Sequence, residues 1–418
     1  MDPAKKLGNS LGTKTKSLLA KLGFGDKTLK VLLLAILIVF GISLFLFKFE
    51  LLSVLSNDEA NRLNSVLHLK TFVKNPTDPI QGTLQWLSLK AFPSHHIFAL
   101  RLPTAIMLGI VLALAATILY LKFRNRYLPY IFAILAVTSP WMILISHQGY
   151  VPGIDLLFLG MTVLCSYFLI TKSDASEKIK TIALIIAAAA IGLVALQPFG
   201  PAYYLLALLI TAKSPTLKEF ISKRSKKLKF LLIILLITIP LINIGYLYVN
   251  LENWKLITGF SLLTDPLEIL KALLYNTRSI FGLEQAQGLS LGTGRPDFLL
   301  MGALALTVYE IFKQRIGRKG LVIGLCISLL VSALYRAPTS IIFAIPFTIA
   351  ILSLALANMI RIIDAAFPRN PYPRNIARAG MLMLVCLLTT LNIYTFISAT
   401  VRENKPQQID TITINRGF

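Results

Sequence analysis

An adjacent acidic pair, Asp58-Glu59, stands in the run Leu55-Ser56-Asn57-Asp58-Glu59-Ala60-Asn61, directly after the first long apolar segment. Acidic residues are scarce in this chain, with 19 Asp+Glu against 42 Lys+Arg and a net charge of +23. Two neighbouring carboxylates repel each other, which favours keeping a proton on one of them. A carboxyl tuned in that way can accept a proton near neutral pH, the task of a general base. The structural alternative is an acidic start to the following helix, with Asn57 or Asp58 as its cap. Four other features could join this pair in chemistry. Arg101 lies in Phe98-Ala99-Leu100-Arg101-Leu102-Pro103-Thr104, where it serves either as an interfacial anchor or as an anion ligand. Asp155 follows Pro152-Gly153 and falls in the first turn of an apolar helix, close to hydrocarbon, where a carboxylate usually faces a polar cavity. Arg278 lies in a long loop whose glycines, Gly288 to Gly294, follow no strand and form no nucleotide fingerprint. Arg336, in Tyr335-Arg336-Ala337-Pro338, is an isolated cation in a short turn.

These residues must be positioned by membrane helices. Hydrophobic residues make up 56% of the chain, charged ones 15%, and mean hydropathy is +0.71, far from a soluble domain. The sequence predicts an all-α polytopic membrane protein with about eleven spans, because apolar runs long enough for a hydrocarbon layer of roughly 30 Å recur along it. They fall at about 30–49, 100–121, 127–146, 153–171, 181–197, 200–212, 230–249, 297–312, 320–335, 339–360 and 379–399. The fifth and sixth are short, and Gln197-Pro198-Phe199-Gly200-Pro201 between them reads as a tight turn or re-entrant break. With the N-terminus inside, the cytoplasmic segments hold 28 of the 42 Lys+Arg, and the outer face holds 12 of the 19 acidic residues. That is the positive-inside bias. It places Asp58, Arg101, Asp155 and the two long loops, about 50–99 and 250–296, on the outer face. The organisation expected is a basic cytoplasmic tail over 1–29, a membrane domain over 30–399 and a short outer tail over 400–418. The basic run Lys223 to Lys229 flanks a membrane helix and reads as a topology and lipid-headgroup signal rather than a nucleic-acid site. Cys165, Cys326 and Cys386 fall in apolar helices and behave as small apolar residues. The adjacent His95 and His96 point in different directions on a helix and make poor joint metal ligands.

The first outer loop is expected to be structured. Leu63, Val66, Leu67, Leu69 and Lys70 suggest an interfacial helix, which Asn75-Pro76-Thr77-Asp78-Pro79 breaks. Leu84 to Lys90 form a second amphipathic stretch with Trp86. The order of helix, outer Asp-Glu, two interfacial helices, Arg101-Leu102-Pro103-Thr104 and an Asp at a helix mouth resembles the membrane glycosyltransferases of the C-type fold. The nearest branch is glycosyltransferase family 39, the protein O-mannosyltransferase and aminoarabinose transferase group. The resemblance is best over about 30–170; Tyr275-Asn276 and Arg336 extend it weakly. Where many members carry a Lys-Pro-Pro-Leu-Tyr-like motif, this chain has Thr77-Asp78-Pro79-Ile80-Gln81-Gly82, with no basic residue.

The resemblance implies an inverting transfer of a hexosyl or pentosyl group from a polyprenyl-phosphate donor to a lipid, glycan or protein acceptor outside the cytoplasm. A bacterial plasma membrane is the expected location. It makes Asp58 the general base, assisted by Glu59 or by a divalent metal ion, and gives Asp155 the positioning of acceptor or metal. Arg101, Arg336 and Arg278 become the ligands of the departing lipid phosphate. The alternative is a polytopic transporter or a flippase for lipid-linked sugars. Against it stand the lack of internal repeats and the gathering of polar residues on one face.

Overall fold

A backbone crossing hydrocarbon must satisfy its own hydrogen bonds, which leaves helices as the open-ended solution. In the computed structural model every element among the described residues is helical. The structure describes residues 57–67, 78–93, 96–123, 127–195, 197, 200–249, 265–280, 319–335, 338–366 and short stretches between 372 and 394. All belong to one compact unit, Phe45–Phe418. The expected spans at 30–49 and 297–312, both tails and Arg336 lie outside the described residues.

Two short helices open the described chain, α1 (Asn57–Leu67) and α2 (Pro79–Ala91), followed by the long α3 (His96–Phe123). The span expected at 127–146 is two helices, α4 (Leu128–Thr138) and α5 (Pro140–Ser146). The break falls at Ser139, which takes an extended conformation, as the residue before a proline prefers. Then come α6 (Ile154–Lys172), α7 (Glu177–Val194), α8 (Gly200–Lys213), the short α9 (Pro215–Ser222) and α10 (Lys226–Val249). Between α7 and α8, where a tight turn or a re-entrant break is expected, Gln197 N–H donates to Val194 O (3.0 Å) and Gly200 N–H to Gln197 O (2.6 Å). From the second long loop the structure describes α11 (Pro266–Ile280). It is followed by α12 (Lys319–Tyr335), a 3-10 turn (Pro338–Phe343) and α13 (Ile345–Ala366).

Among the described residues, His96–Phe123, Ile154–Lys172 and Ser340–Ile363 are long and apolar enough to cross a membrane. Their burial separates their roles. The most apolar stretch of Ser340–Ile363 is 94% buried, so this helix is the hub of the bundle, whereas 44% and 50% in the other two leave one face outward. Outward leucines and isoleucines such as Leu205, Leu209, Ile233 and Ile237 are unfavourable in water but natural against lipid. The main core joins α3, α4, α5, α6 and α13 through residues such as Met107, Leu108, Phe132, Met142, Ile154 and Ile351. A second core of Ile170, Leu184, Leu217 and Leu232 ties α6, α7, α9 and α10 together. A third, Leu63, Val66, Leu89, Ala99 and Leu100 with Trp86, fastens α1 and α2 onto the start of α3. That third core carries the site.

Candidate active site

Helical spacing turns four residues of α1 to one side. Glu59, Arg62, Leu63 and Val66 are all buried, and intervals of three and four residues share a helix face. The lower half of that face is apolar and packs on Leu89, Ala99 and Leu100. The upper half presents a carboxylate and a guanidinium.

Glu59 meets Arg101. Arg101 Nε donates to Glu59 Oε1 at 3.0 Å and Nη2 donates to Oε2 at 3.1 Å, with side-chain exposures of 1% and 3%. This is the planar, two-bond grip that arginine offers a carboxylate and lysine cannot. Gly149 N–H donates a third hydrogen bond to Glu59 Oε1. A glycine is needed there, because a Cβ on residue 149 would lie 2.9 Å from Glu59 Oε1 and 2.7 Å from the Leu100 side chain. Arg101 is therefore buried within the protein rather than anchored in the membrane interface.

α2 inverts the usual order of an amphipathic helix. Its buried face is Gln81, Gly82, Gln85, Ser88 and Leu89, while Leu84 and Leu87 point outward. An outward leucine face suits a helix lying at a lipid surface, and Lys90 folds its ammonium over the Trp86 ring at 3.8 Å. The inward glutamines knit the site. Gln85 donates to Leu100 O (3.0 Å) and to Gly149 O, and accepts from Arg62 Nε (3.0 Å). Arg62 Nη2 donates to Asp78 O at 2.9 Å, and the guanidinium lies 5.1 Å from the centre of the Tyr150 ring.

The two remaining carboxylates cap each other's helices. Asp78 stands just before α2 in a left-handed conformation (φ 49°), which Asp tolerates better than most residues. Its own side chain does not cap α2. It crosses instead to the start of α6, where both oxygens accept from Gly153 N–H at 3.1 Å and Oδ1 accepts from Asp155 N–H at 3.4 Å. Asp155 crosses the other way, its Oδ2 accepting from Ile80 N–H at 2.6 Å and its Oδ1 from Gln81 N–H at 2.9 Å. Each acid thus satisfies amides that an α-helix start leaves unpaired, and sits at the positive end of the other helix's dipole. Burial pushes Asp78 up to about 6, against the downward pull of the Gly153 amide and of Arg62. Burial also lowers Arg62 from its ordinary value, more than Asp78 and its other neighbours raise it. Gly153, at φ 79°, has no room for a Cβ, which would lie 2.7 Å from the Phe343 ring and 2.8 Å from that of Tyr335.

The residues singled out in the sequence divide as follows. Glu59, Arg101 and Asp155 are all buried at the junction of α1, α2, α3 and α6. Asp58 is in the first turn of α1, beside Glu59; its backbone alone is among what the structure describes. Arg278 is exposed in the last turn of α11. Near it Asn276 donates to Ser332 Oγ (2.9 Å), which fastens α11 to α12. Arg62, Asp78, Gln81 and Gln85 were not singled out, although the three- and four-residue intervals Glu59–Arg62 and Gln81–Gln85 signal a shared face. Among the described residues no three of His, Cys, Asp and Glu gather as metal ligands, and Asp78 and Asp155 both spend their oxygens on backbone amides.

No protein-family model matches the chain, and no curated protein is similar to it in sequence. Solved structures do share its fold. The crystal structure of ArnT from Cupriavidus metallidurans bound to undecaprenyl phosphate superposes with a TM-score of 0.54 at 13% identity, covering 90% of this chain and 76% of that one. The apo state of the same protein gives a TM-score of 0.52 at 13% identity, covering 90% and 75%. The chain therefore has the fold of ArnT, the polytopic, all-helical C-type architecture expected from its sequence.

Proposed function

We propose that this protein is an inverting glycosyltransferase that moves a sugar from a polyprenyl-phosphate donor to an acceptor on the outer face of a bacterial plasma membrane. The observation that carries the proposal is the buried Glu59–Arg101 pair, set in a fold shared with a protein that was crystallised with undecaprenyl phosphate. The pair fixes the first turn of α1, and with it the backbone of Asp58, against α3 and the loop at Gly149.

Asp58 is the general base. It takes the proton of the acceptor as the acceptor's lone pair attacks the anomeric carbon. The bond from that carbon to the phosphate oxygen breaks, and its electron pair leaves with polyprenyl phosphate. One displacement inverts the anomeric centre. The leaving phosphate is already a stable anion, so cations rather than an acid are needed; Arg278 and Arg336 supply them. Arg101 has Nε and Nη2 on Glu59, and serves as a positioning residue acting through Glu59. Asp155 holds the start of α2, so it positions the acceptor through that helix.

Membranes carrying the protein should transfer label from a radiolabelled polyprenyl-phosphate sugar to lipid, glycan or protein. Asp58→Asn should lower turnover about 10²–10⁴-fold at matched abundance. Movement of intact lipid-linked sugar across vesicles without covalent transfer would overturn the transferase reading. Near-normal turnover in Asp58→Asn would remove the base assigned here.

A further inference from the structure

We infer that Arg62 and Gln85 are positioning residues for the proposed base, closing a ring of hydrogen bonds on the turn of α1 that carries Asp58. The inference rests on the transferase reading and assigns what sets the base within that site. The ring can be followed atom by atom. Gly149 N–H donates to Glu59 Oε1, and Gly149 O accepts from Gln85 Nε2. Gln85 Oε1 accepts from Arg62 Nε at 3.0 Å. Arg62 lies three residues after Glu59 on α1, so the helix itself closes the circuit. Two further bonds brace it. Gln85 Nε2 also donates to Leu100 O at 3.0 Å, next to the Arg101 that grips Glu59. Arg62 Nη2 donates to Asp78 O at 2.9 Å, at the start of α2. Glu59, Arg62, Gln85 and Arg101 are each at most 5% exposed, so water does not compete for these bonds.

Residue 85 has to be an amide. It gives hydrogen bonds to two carbonyls and takes one from a guanidinium; a carboxylate of the same shape can only accept. The ring is tied to α1 at the residue next to Asp58 and again one turn on, at Arg62. A general base must stand within hydrogen-bond reach of the proton it takes, and a displacement of about 1 Å can cost about 10²-fold. Arg62 adds a charge to this geometry. It follows Asp58 by four residues, the spacing at which a carboxylate and a guanidinium attract on a helix. A cation there favours the ionised carboxylate, the form that accepts a proton. The other groups acting on Arg62 are Asp78, Tyr150 and Asp155, while Glu59 is held by Arg101. Gln85 carries no charge, so the two residues separate position from charge.

The test measures kcat and donor KM across pH in membranes carrying the full chain at matched abundance, supplied with radiolabelled hexosyl and pentosyl polyprenyl phosphates. Gln85→Met, of similar length but without donor or acceptor, should lower kcat at least about tenfold, with donor KM and the acid limb of the pH profile unchanged. Arg62→Gln should lower kcat and also move the acid limb up by about one pH unit, because the ionised Asp58 loses its cation. Arg62→Lys keeps the charge and loses the fork, so it should restore the limb without restoring kcat. Amide exchange over residues 57–67 of the purified protein reads the ring without activity, and should speed about tenfold in Gln85→Met. If Gln85→Met does not fold, Arg62→Lys carries both measurements. Variants that lose abundance or thermal stability but keep wild-type kcat and acid limb per folded molecule would make the ring a fold contact only and overturn the inference. Unchanged exchange would overturn it as well. A wild type that transfers no sugar, while its exchange still depends on Gln85, would instead remove the transferase reading and the base with it.

Discussion

Arg101→Met should destabilise the fold by about 3–5 kcal/mol, the usual cost of removing one member of a buried ion pair. The side chains of Arg101 and Glu59 are 1% and 3% exposed, so water cannot take over the lost contacts. In the variant the Glu59 carboxylate loses two hydrogen bonds of 3.0 and 3.1 Å while keeping its charge inside the protein. Glu59→Leu should cost a similar amount, because Arg101 is then the buried charge without its partner. The double variant Glu59→Leu/Arg101→Met removes both charges and substitutes apolar side chains, an exchange that is often close to neutral. The double-mutant cycle should therefore show a coupling of at least about 2 kcal/mol, against about 0–1 kcal/mol for a pair on the surface. Arg101→Lys should fall between, since an ammonium keeps the charge and loses the second parallel bond. The assay is equilibrium unfolding of purified protein in mixed detergent micelles, followed by tertiary-structure fluorescence, with turnover measured in parallel. Additive single effects, or single variants within 1 kcal/mol of wild type, would refute the claim that this pair holds α1 in place.

Asp155→Ala should cost about 1–2 kcal/mol by uncapping α2 at Ile80 and Gln81, and limited proteolysis should then cut first within residues 68–93. Gly153→Ala should destabilise by more than 1 kcal/mol, because φ is 79° and the Phe343 ring already fills the space a Cβ would need; thermal unfolding measures it. Asp78 should make stability fall as pH rises. Its folded value of about 6 lies above the unfolded value of about 4, so its contribution is fully present below about pH 4 and lost through about pH 6, on the order of 3 kcal/mol across the window. Asp78→Asn keeps an oxygen for Gly153 N–H and should flatten that slope; an unchanged slope would assign it to another group.

The described helices were legible where apolar length exceeded the membrane thickness, including through Pro103 and Pro240, and one expected span is broken at a proline. Residues 127–146 are apolar throughout, so only Pro140 distinguishes one span from the two helices found. In the site, Glu59 and Arg101 were visible as charges at the ends of apolar segments, but their partnership was not, since 42 residues separate them and nothing in either residue names the other. The polar face of α2 was readable in principle. In a chain that borders lipid the amphipathic rule reverses, so the glutamines at 81 and 85, set against Leu84 and Leu87, should have been turned inward at once. The crossed caps lay beyond any such reading, because their partners are backbone amides, which carry no sequence identity. They also alter what the acids can do. Asp78 and Asp155 each spend both oxygens on helix starts that would otherwise be bare, and although burial raises Asp78, an oxygen held inside the protein by a backbone amide is not placed to meet an acceptor's proton. Glu59 spends both of its oxygens on Arg101. Glu59, Asp78 and Asp155 are therefore committed to holding α1, α2 and α6 together, which concentrates the proton chemistry proposed here on Asp58.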